Sequence, residues 1–120
     1  YIGVLTIPAL DLELPVMNEW DYTRLQKTPC RYSGSAYDGS LVIAGHNYDA
    51  HFGRLKTLSI GENVSFTDTE GNVFNYEVGA LETLKYTESE EMKTGDWDLT
   101  LFTCTTGGQY RITLRCYSTD

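Results

Sequence analysis

Short segments in which apolar and polar residues alternate make up most of this chain, and they restrict the folds open to it. Residues 10–16 place leucine or valine at every second position, which is the pattern of a strand with one buried face. Residues 73–84 repeat the pattern, with Phe74, Tyr76 and Val78 spaced for a single face. Patterns of this kind favour a protein built from sheet.

Seven or eight predicted strands follow one another along the chain, separated by turn residues. The predicted strands lie within residues 1–7, 10–16, 41–44, 64–66, 73–84, 99–104 and 109–117. A helical turn that Asp21 can cap and a short helix within residues 51–58 are the main helical signals. We therefore predict a single all-β domain over residues 1–120, either a closed β-barrel or a β-sandwich.

The charge of the chain excludes several classes of partner. It carries 17 acidic and 9 basic residues, a formal net charge of -8. Because this charge repels phosphate backbones and anionic membrane surfaces, we predict no nucleic-acid partner. The apolar run at residues 41–44 is too short to cross a bilayer. We expect any N-terminal membrane anchor to lie outside this sequence.

A cysteine and an arginine are predicted to meet across the last hairpin. If Gly107 and Gly108 form a two-residue loop, Cys104 falls directly opposite Arg111 on one face of the strand pair. Their Cβ atoms would then lie roughly 4.5 to 5.5 Å apart. At that range a guanidinium favours the thiolate and can donate hydrogen bonds to an oxyanion. An ordinary hairpin with a buried cysteine explains these residues about equally well.

His46 supplies the remaining group that such chemistry needs. A catalytic cysteine requires a base or a cation within reach, and His46 follows the buried segment 41–44, where a strand becomes a loop. His51 lies in a polar stretch that is more typical of a solvated side chain. A lone histidine such as His46 is usually structural. Together with Cys104 and Arg111, however, it completes a nucleophile, a proton carrier and a fixed positive charge, as acyl transfer through a thioester requires.

The three cysteines favour no disulfide. Cys116 lies five residues beyond Arg111, so on a regular strand it points to the opposite face from Arg111 and Cys104. Cys30 lies in a proline-containing loop, and spacing alone leaves a Cys30 to Cys116 pair open.

We also predict no metal and no cofactor. A zinc site built from His46, Asp49, His51 and a cysteine lacks the usual ligand spacing. The acidic run at residues 88–91 is more typical of a solvated loop than of a calcium site.

Three motifs together resemble those of sortases, the cysteine transpeptidases of Gram-positive cell surfaces. They are Leu41-Val-Ile-Ala-Gly-His46-Asn47, Thr100-Leu-Phe-Thr-Cys104 and the strand that begins at Arg111. The opening Ile2-Gly-Val-Leu-Thr-Ile-Pro8 and the stretch Phe52-Gly-Arg-Leu55 also match, so the resemblance covers nearly the whole chain. It implies a closed eight-stranded sortase-type β-barrel with one or two short helices.

The resemblance also implies a reaction. Cys104 would attack the carbonyl after the threonine of an LPXTG-like sorting signal and form a thioester acyl-enzyme. His46 would protonate the departing amine and then deprotonate the incoming one, which belongs to a peptidoglycan precursor or to a pilin lysine. Arg111 would hold the substrate and stabilise the oxyanion. We expect a monomer that works at the extracellular face of the cell membrane.

Strand parity extends this prediction to a peptide groove. Thr100 and Phe102 share a face with Cys104, and Ala44 shares one with His46. The residue just before the nucleophile matches a family position near the oxyanion. The predicted substrate contacts are Ala44, Thr100, Phe102 and Thr103.

The subclass of sortase stays open. The short last hairpin and the brief connection from Leu84 to Leu99 favour a class D-like or other compact sortase. The Gly-His-Asn context of residues 45–47 is also found in class B-like members.

Two other functions are compatible with the same residues. A papain-like or L,D-transpeptidase thiol enzyme would use the cysteine and the histidine without an arginine opposite them. A non-catalytic β-sandwich surface module would bury Cys104 and place His46 far from it.

Overall fold

Eight strands form most of the structure. The computed structural model describes residues 1–19, 22–25, 27–45, 52, 54–85, 97–103 and 110–119. The strands are β1 (Gly3–Ile7), β2 (Leu12–Val16), β3 (Cys30–Ser33), β4 (Leu41–Gly45), β5 (Asn63–Asp68), β6 (Val73–Lys85), β7 (Leu99–Thr103) and β8 (Tyr110–Ser118). Helix α1 (Tyr22–Leu25) and two 3-10 turns, Pro8–Leu10 and Leu55–Thr57, lie between strands. Over the described ranges, no helix is long and apolar enough to span a membrane.

The strands form one sheet that closes almost completely into a barrel. Their order is β2-β1-β5-β6-β8-β7-β4-β3, and a parallel bridge between Met17 and Cys30 joins the two edge strands. The Met17 amide donates to the Pro29 carbonyl over 3.0 Å, and the Arg31 amide donates to the Met17 carbonyl over 2.8 Å. The predicted eight-stranded barrel is therefore correct, and the sandwich alternative is wrong.

The barrel interior is filled by alternate residues of the strands. The fully buried aliphatic side chains of this inner core include Leu5, Ile7, Leu41, Ile43, Leu99, Leu101 and Leu114. Burying each such side chain contributes about 1.5–3 kcal/mol relative to leaving it exposed. The inner core thus supplies most of the apolar burial that holds the strands together.

The hairpin of β5 and β6 turns where the sequence predicts. The Asp68 carboxylate accepts the amides of Glu70 and Asn72, each over 2.9 Å. Gly71 has a φ of 88°, a conformation that glycine adopts at little cost. The turn therefore lies between the predicted strands 64–66 and 73–84.

The sequence patterns did not predict strand β3. Residues 30–33 were expected in a loop, and they form β3. Arg31 pairs with Ile43 and Ser33 pairs with Val42, so Tyr32 is an extra, bulged residue. Because a bulge interrupts the two-residue period, four residues interrupted in this way give no clear alternation.

Candidate active site

Two parallel strands end side by side at one edge of the barrel. Along β4 and β7, Ala44 lies beside Phe102 and Gly45 lies beside Thr103. His46 and Cys104, the predicted proton carrier and nucleophile, come next in the sequence and lie outside the described residues. The last described residues before them are neighbours across the two strands.

Strand β8 lies antiparallel to β7 on its other side. Phe102 pairs with Thr113, and the Ile112 amide donates to the Thr103 hydroxyl over 3.0 Å. A two-residue loop at Gly107 and Gly108 predicts this same register for the hairpin. The described ladder ends at Phe102, so the predicted pairing of Cys104 with Arg111 lies beyond it.

Arg111 is half-buried between two strands. On β6 its partner in the ladder is Leu84. On the other side its guanidinium carbon lies 5.2 Å from the centroid of the Phe102 ring, within the range of a cation–π interaction. The positive charge is therefore turned towards β7, the strand that leads to Cys104.

The predicted groove residues divide between the two faces of the sheet. Ala44 and Phe102 are fully buried in an outer cluster, a small apolar group outside the barrel formed by Leu25, Cys30, Val42, Ala44 and Phe102. Thr100 lies on the same outer face and is 3% exposed. Thr103 has the opposite parity and accepts the Ile112 amide, so it is not brought together with the other three.

The sequence patterns did not predict an ion pair on this outer face between a buried arginine and a more exposed glutamate. The Arg115 Nε donates to a Glu82 carboxylate oxygen over 3.0 Å, and an Nη of Arg115 donates to the Thr100 hydroxyl over 3.1 Å. The side chain of Arg115 is 5% exposed and that of Glu82 is 43% exposed. A guanidinium removed from water requires partners of this kind. The sequence signal was the polar set Arg111, Thr113 and Arg115 at every second position of β8.

A glycine at the end of β4 allows a close aromatic contact. A Cβ added to Gly45 would lie 2.3 Å from the ring of Phe52, which is fully buried. Gly45 and Phe52 are the described residues on either side of 46–51, and they pack against each other. Any larger residue at position 45 would displace this ring.

Both cysteines in the described part of the chain, Cys30 and Cys116, are free. Cys116 points into the inner core, on the opposite face from Arg111, and burial raises its pKa to about 12. Cys30 begins β3 rather than lying in a loop, and its thiol donates to the Thr28 carbonyl over 3.6 Å. Neither environment activates a thiol.

The described residues contain no group of three or more His, Cys, Asp and Glu side chains arranged to hold a metal ion. His46, Asp49 and His51, which the zinc hypothesis would use, lie outside the described residues.

The structure is a nearly closed barrel with a parallel β4–β7 pair and an arginine on β8. Comparisons with known proteins identify the class of fold to which it belongs. The family model of the sortase domain matches residues 5–119. The chain therefore belongs to the sortase family, whose members are transpeptidases associated with the cell surface. This assignment replaces the papain-like, L,D-transpeptidase and β-sandwich hypotheses.

Similar proteins come from several sortase classes. Sortase D of Bacillus subtilis (strain 168) is 33% identical over 79 residues, which cover 63% of this chain and 39% of that protein. Sortase A from Corynebacterium diphtheriae superimposes with a TM-score of 0.85 at 25% identity, over 99% of this chain and 60% of that one. Sortase C1 from Streptococcus suis gives a TM-score of 0.81 at 26% identity, over 99% and 73%. The chain thus spans less than two thirds of the first two relatives, and the subclass stays open.

Proposed function

We propose that this domain is a cysteine transpeptidase that cleaves an LPXTG-like sorting signal and transfers the surface protein to an amine at the extracellular face of the cell. The observation that carries the proposal is the parallel pair β4 and β7. In sequence, β4 ends one residue before His46 and β7 ends one residue before Cys104. The guanidinium of Arg111 packs against Phe102 of β7. Sortase family membership supports the same reaction class.

The reaction would proceed in two acyl transfers. With the proton of the Cys104 thiol on His46, the sulfur attacks the carbonyl carbon after the threonine, the C–N bond breaks, and His46 gives its proton to the departing amine. The incoming neutral amine then attacks the thioester carbon and loses a proton to His46, and the C–S bond breaks to release Cys104 as a thiolate. Arg111 donates hydrogen bonds to the oxyanion that forms in each step.

The register supports the position of Arg111 in this scheme. If the β7–β8 ladder continued by two residues beyond the pair of Phe102 and Thr113, Cys104 would lie opposite Arg111. Their Cβ atoms would be about 4.5–5.5 Å apart, which is within reach of an oxyanion on the attacked carbonyl. Of the predicted substrate contacts, Ala44, Thr100 and Thr103 stay in this proposal, whereas the buried ring of Phe102 contacts Arg111.

The net charge of -8 supports a cationic acceptor. A peptidoglycan precursor or a pilin subunit would offer its amine from a side chain that is positively charged before it reacts. An acidic domain attracts such a group electrostatically. No cofactor is required by this chemistry, and we expect the domain to act as a monomer.

Mass spectrometry of the protein incubated with a panel of sorting-signal peptides tests the proposal. We expect an acyl adduct on Cys104 that an added amine resolves, and no adduct in Cys104→Ala. Cys116→Ala is the matched control, because it removes a thiol from the inner core and should leave the adduct in place. His46→Ala and Arg111→Ala should each lower the rate by large factors. Full turnover by Cys104→Ala would refute the assignment.

A further inference from the structure

Three side chains from three strands form a continuous stack on the outer face of the barrel. The rings of Tyr32 on β3 and Phe102 on β7 meet edge to face, with centroids 5.0 Å apart and planes at 89°. The guanidinium of Arg111 on β8 lies over the same Phe102 ring, 5.2 Å from its centroid. The Phe102 ring is therefore in contact with Tyr32 and with Arg111.

The middle ring of this stack is fully buried. It lies in the outer cluster with Ala44 and Leu25, and partly buried Leu84 packs against that cluster. Because cation–π attraction is stronger for a ring removed from water, this burial strengthens the hold of Phe102 on Arg111. Burial also leaves the ring no free surface on which a peptide could rest in this conformation.

The strand register explains why Arg111 reaches this ring. Phe102 pairs with Thr113, so Arg111 is its diagonal neighbour on β8. Diagonal neighbours on one face of an antiparallel pair are close enough for long and aromatic side chains to touch. The register that pairs Phe102 with Thr113 thus explains the contact. Arg111 lies two residues before Thr113 on β8, in the direction in which β7 leads to Cys104.

A bulge directs Tyr32 towards Phe102. Tyr32 is the extra residue between the pairs that Arg31 and Ser33 form with β4. Strand β4 lies between β3 and β7, and Tyr32 packs against the outer cluster that contains Ala44 of β4 and Phe102 of β7. Bulges often occur next to active sites, where they re-aim a side chain.

We propose that Phe102, supported by Tyr32, is a positioning residue that holds the Arg111 guanidinium at the end of β7, where Cys104 follows. The inference rests on the proposed function and goes beyond it, because it assigns Phe102 to Arg111 rather than to the peptide. Without the ring, the long arginine side chain occupies several rotamers and spends less time where an oxyanion forms.

The kinetic test compares Phe102→Leu with the wild-type domain in single-turnover thioester formation. We expect the acylation rate to fall about tenfold, the order of a desolvated cation–π contact, with KM unchanged. Tyr32→Leu should give a smaller loss in the same direction, and Tyr32→Phe, which keeps the ring, should restore the wild-type rate. In an Arg111→Ala background, Phe102→Leu should cause no further loss, because the two residues act as a unit.

A second aromatic pair provides the matched control. Tyr37 and Phe74 also meet edge to face, with centroids 5.1 Å apart at 80°, near the start of β6. Leu84, the partner of Arg111, lies ten residues further along that strand, about 30 Å away. Phe74→Leu should lower thermal stability as Phe102→Leu does and leave the acylation rate unchanged.

A spectroscopic readout separates this inference from the proposed function. The side-chain protons of Arg111 should show an upfield ring-current shift in NMR spectra, which Phe102→Leu removes and Phe74→Leu preserves. If no peptide acylates the wild-type domain, the proposed function fails, and an Arg111 signal that Phe102→Leu leaves unchanged overturns the stack independently. A rise in KM with an unchanged acylation rate in Phe102→Leu would show that Phe102 contacts the peptide, and it would overturn the positioning role.

Discussion

The two faces of β7 and β8 are formed by alternate residues of the same strands, and they have different roles. The inner face presents Leu99, Leu101, Leu114 and Cys116, all fully buried in the barrel. The outer face presents polar or charged groups beside a small apolar cluster; these groups are Thr100, Arg111, Thr113 and Arg115. Alternation along a strand separates the two sets by a single residue step.

This difference shows how one sheet combines an apolar, stabilising face with the face that carries the candidate site. The inner face gains free energy from burial of apolar surface and has no polar requirement to satisfy. On the outer face, charges such as Arg115 lie out of water and depend on Glu82 and Thr100 for hydrogen bonds. Substitutions on the inner face should therefore change stability, whereas those on the outer face should change local geometry and reactivity.

The largest expected difference between the faces concerns thiol reactivity. Burial raises the pKa of Cys116 from the ordinary thiol value of 9.0 to about 12, which lowers its thiolate fraction near neutral pH about a thousandfold. We expect iodoacetamide at pH 8 to label Cys104 in the native domain and to label Cys116 only after unfolding. Peptide mapping by mass spectrometry measures this. Rapid native labelling of Cys116 would contradict its placement in the inner core.

The same shift predicts a pH dependence of stability. The unfolded thiol loses its proton near pH 9 and the native thiol only near pH 12, so the unfolded state binds fewer protons in between. The contribution of Cys116 to the free energy of unfolding is thus fully present below pH 9 and is lost as the pH rises towards 12. Urea titrations of the wild type and of Cys116→Ala should converge over this range.

Adjacent residues on β7 allow the faces to be compared by mutation. Leu101→Ala removes a fully buried side chain from the inner core and should lower the free energy of unfolding by about 2–5 kcal/mol. Thr100→Ala, one residue away on the outer face, removes one acceptor of Arg115 and should cost about 1 kcal/mol. Chemical denaturation measures both values. Equal losses would mean that the two faces do not differ in their contribution to stability.

The fold could be predicted from the sequence wherever alternation is unbroken. Residues 10–16 and 73–84 show the two-residue period, and both contain strands close to the expected positions. Strand β3 could not be predicted in this way, because the bulge at Tyr32 breaks the period. Local patterning therefore predicted the strands whose alternation is unbroken. It missed β3, whose bulge interrupts the alternation.

The candidate site was less accessible to sequence reasoning. The face shared by Thr100 and Phe102 and the position of Arg111 on β8 follow from parity and turn length. The contacts of these residues do not, because Glu82 is 33 positions from Arg115 and only the β6–β8 register brings them together. A bulge in the same register between Val78 and Ala80 shifts every pairing beyond it by one residue.

The smallest expected effect concerns the ion pair of the outer face. Glu82→Gln keeps an oxygen acceptor for Arg115 and removes the charge, so it should lower the free energy of unfolding by about 1 kcal/mol, reduced from the value of a fully buried pair by the solvent around Glu82. Glu77→Gln on the same strand is the control, since the bond that Glu77 accepts from Tyr117 is exposed, and this change should alter stability by less than about 0.5 kcal/mol. Because an unpaired buried charge costs more than no charge, Glu82→Gln combined with Arg115→Met should recover part of the loss. If the double variant is less stable than the sum of the single changes, the outer face depends on this ion pair for its packing and not only for local geometry.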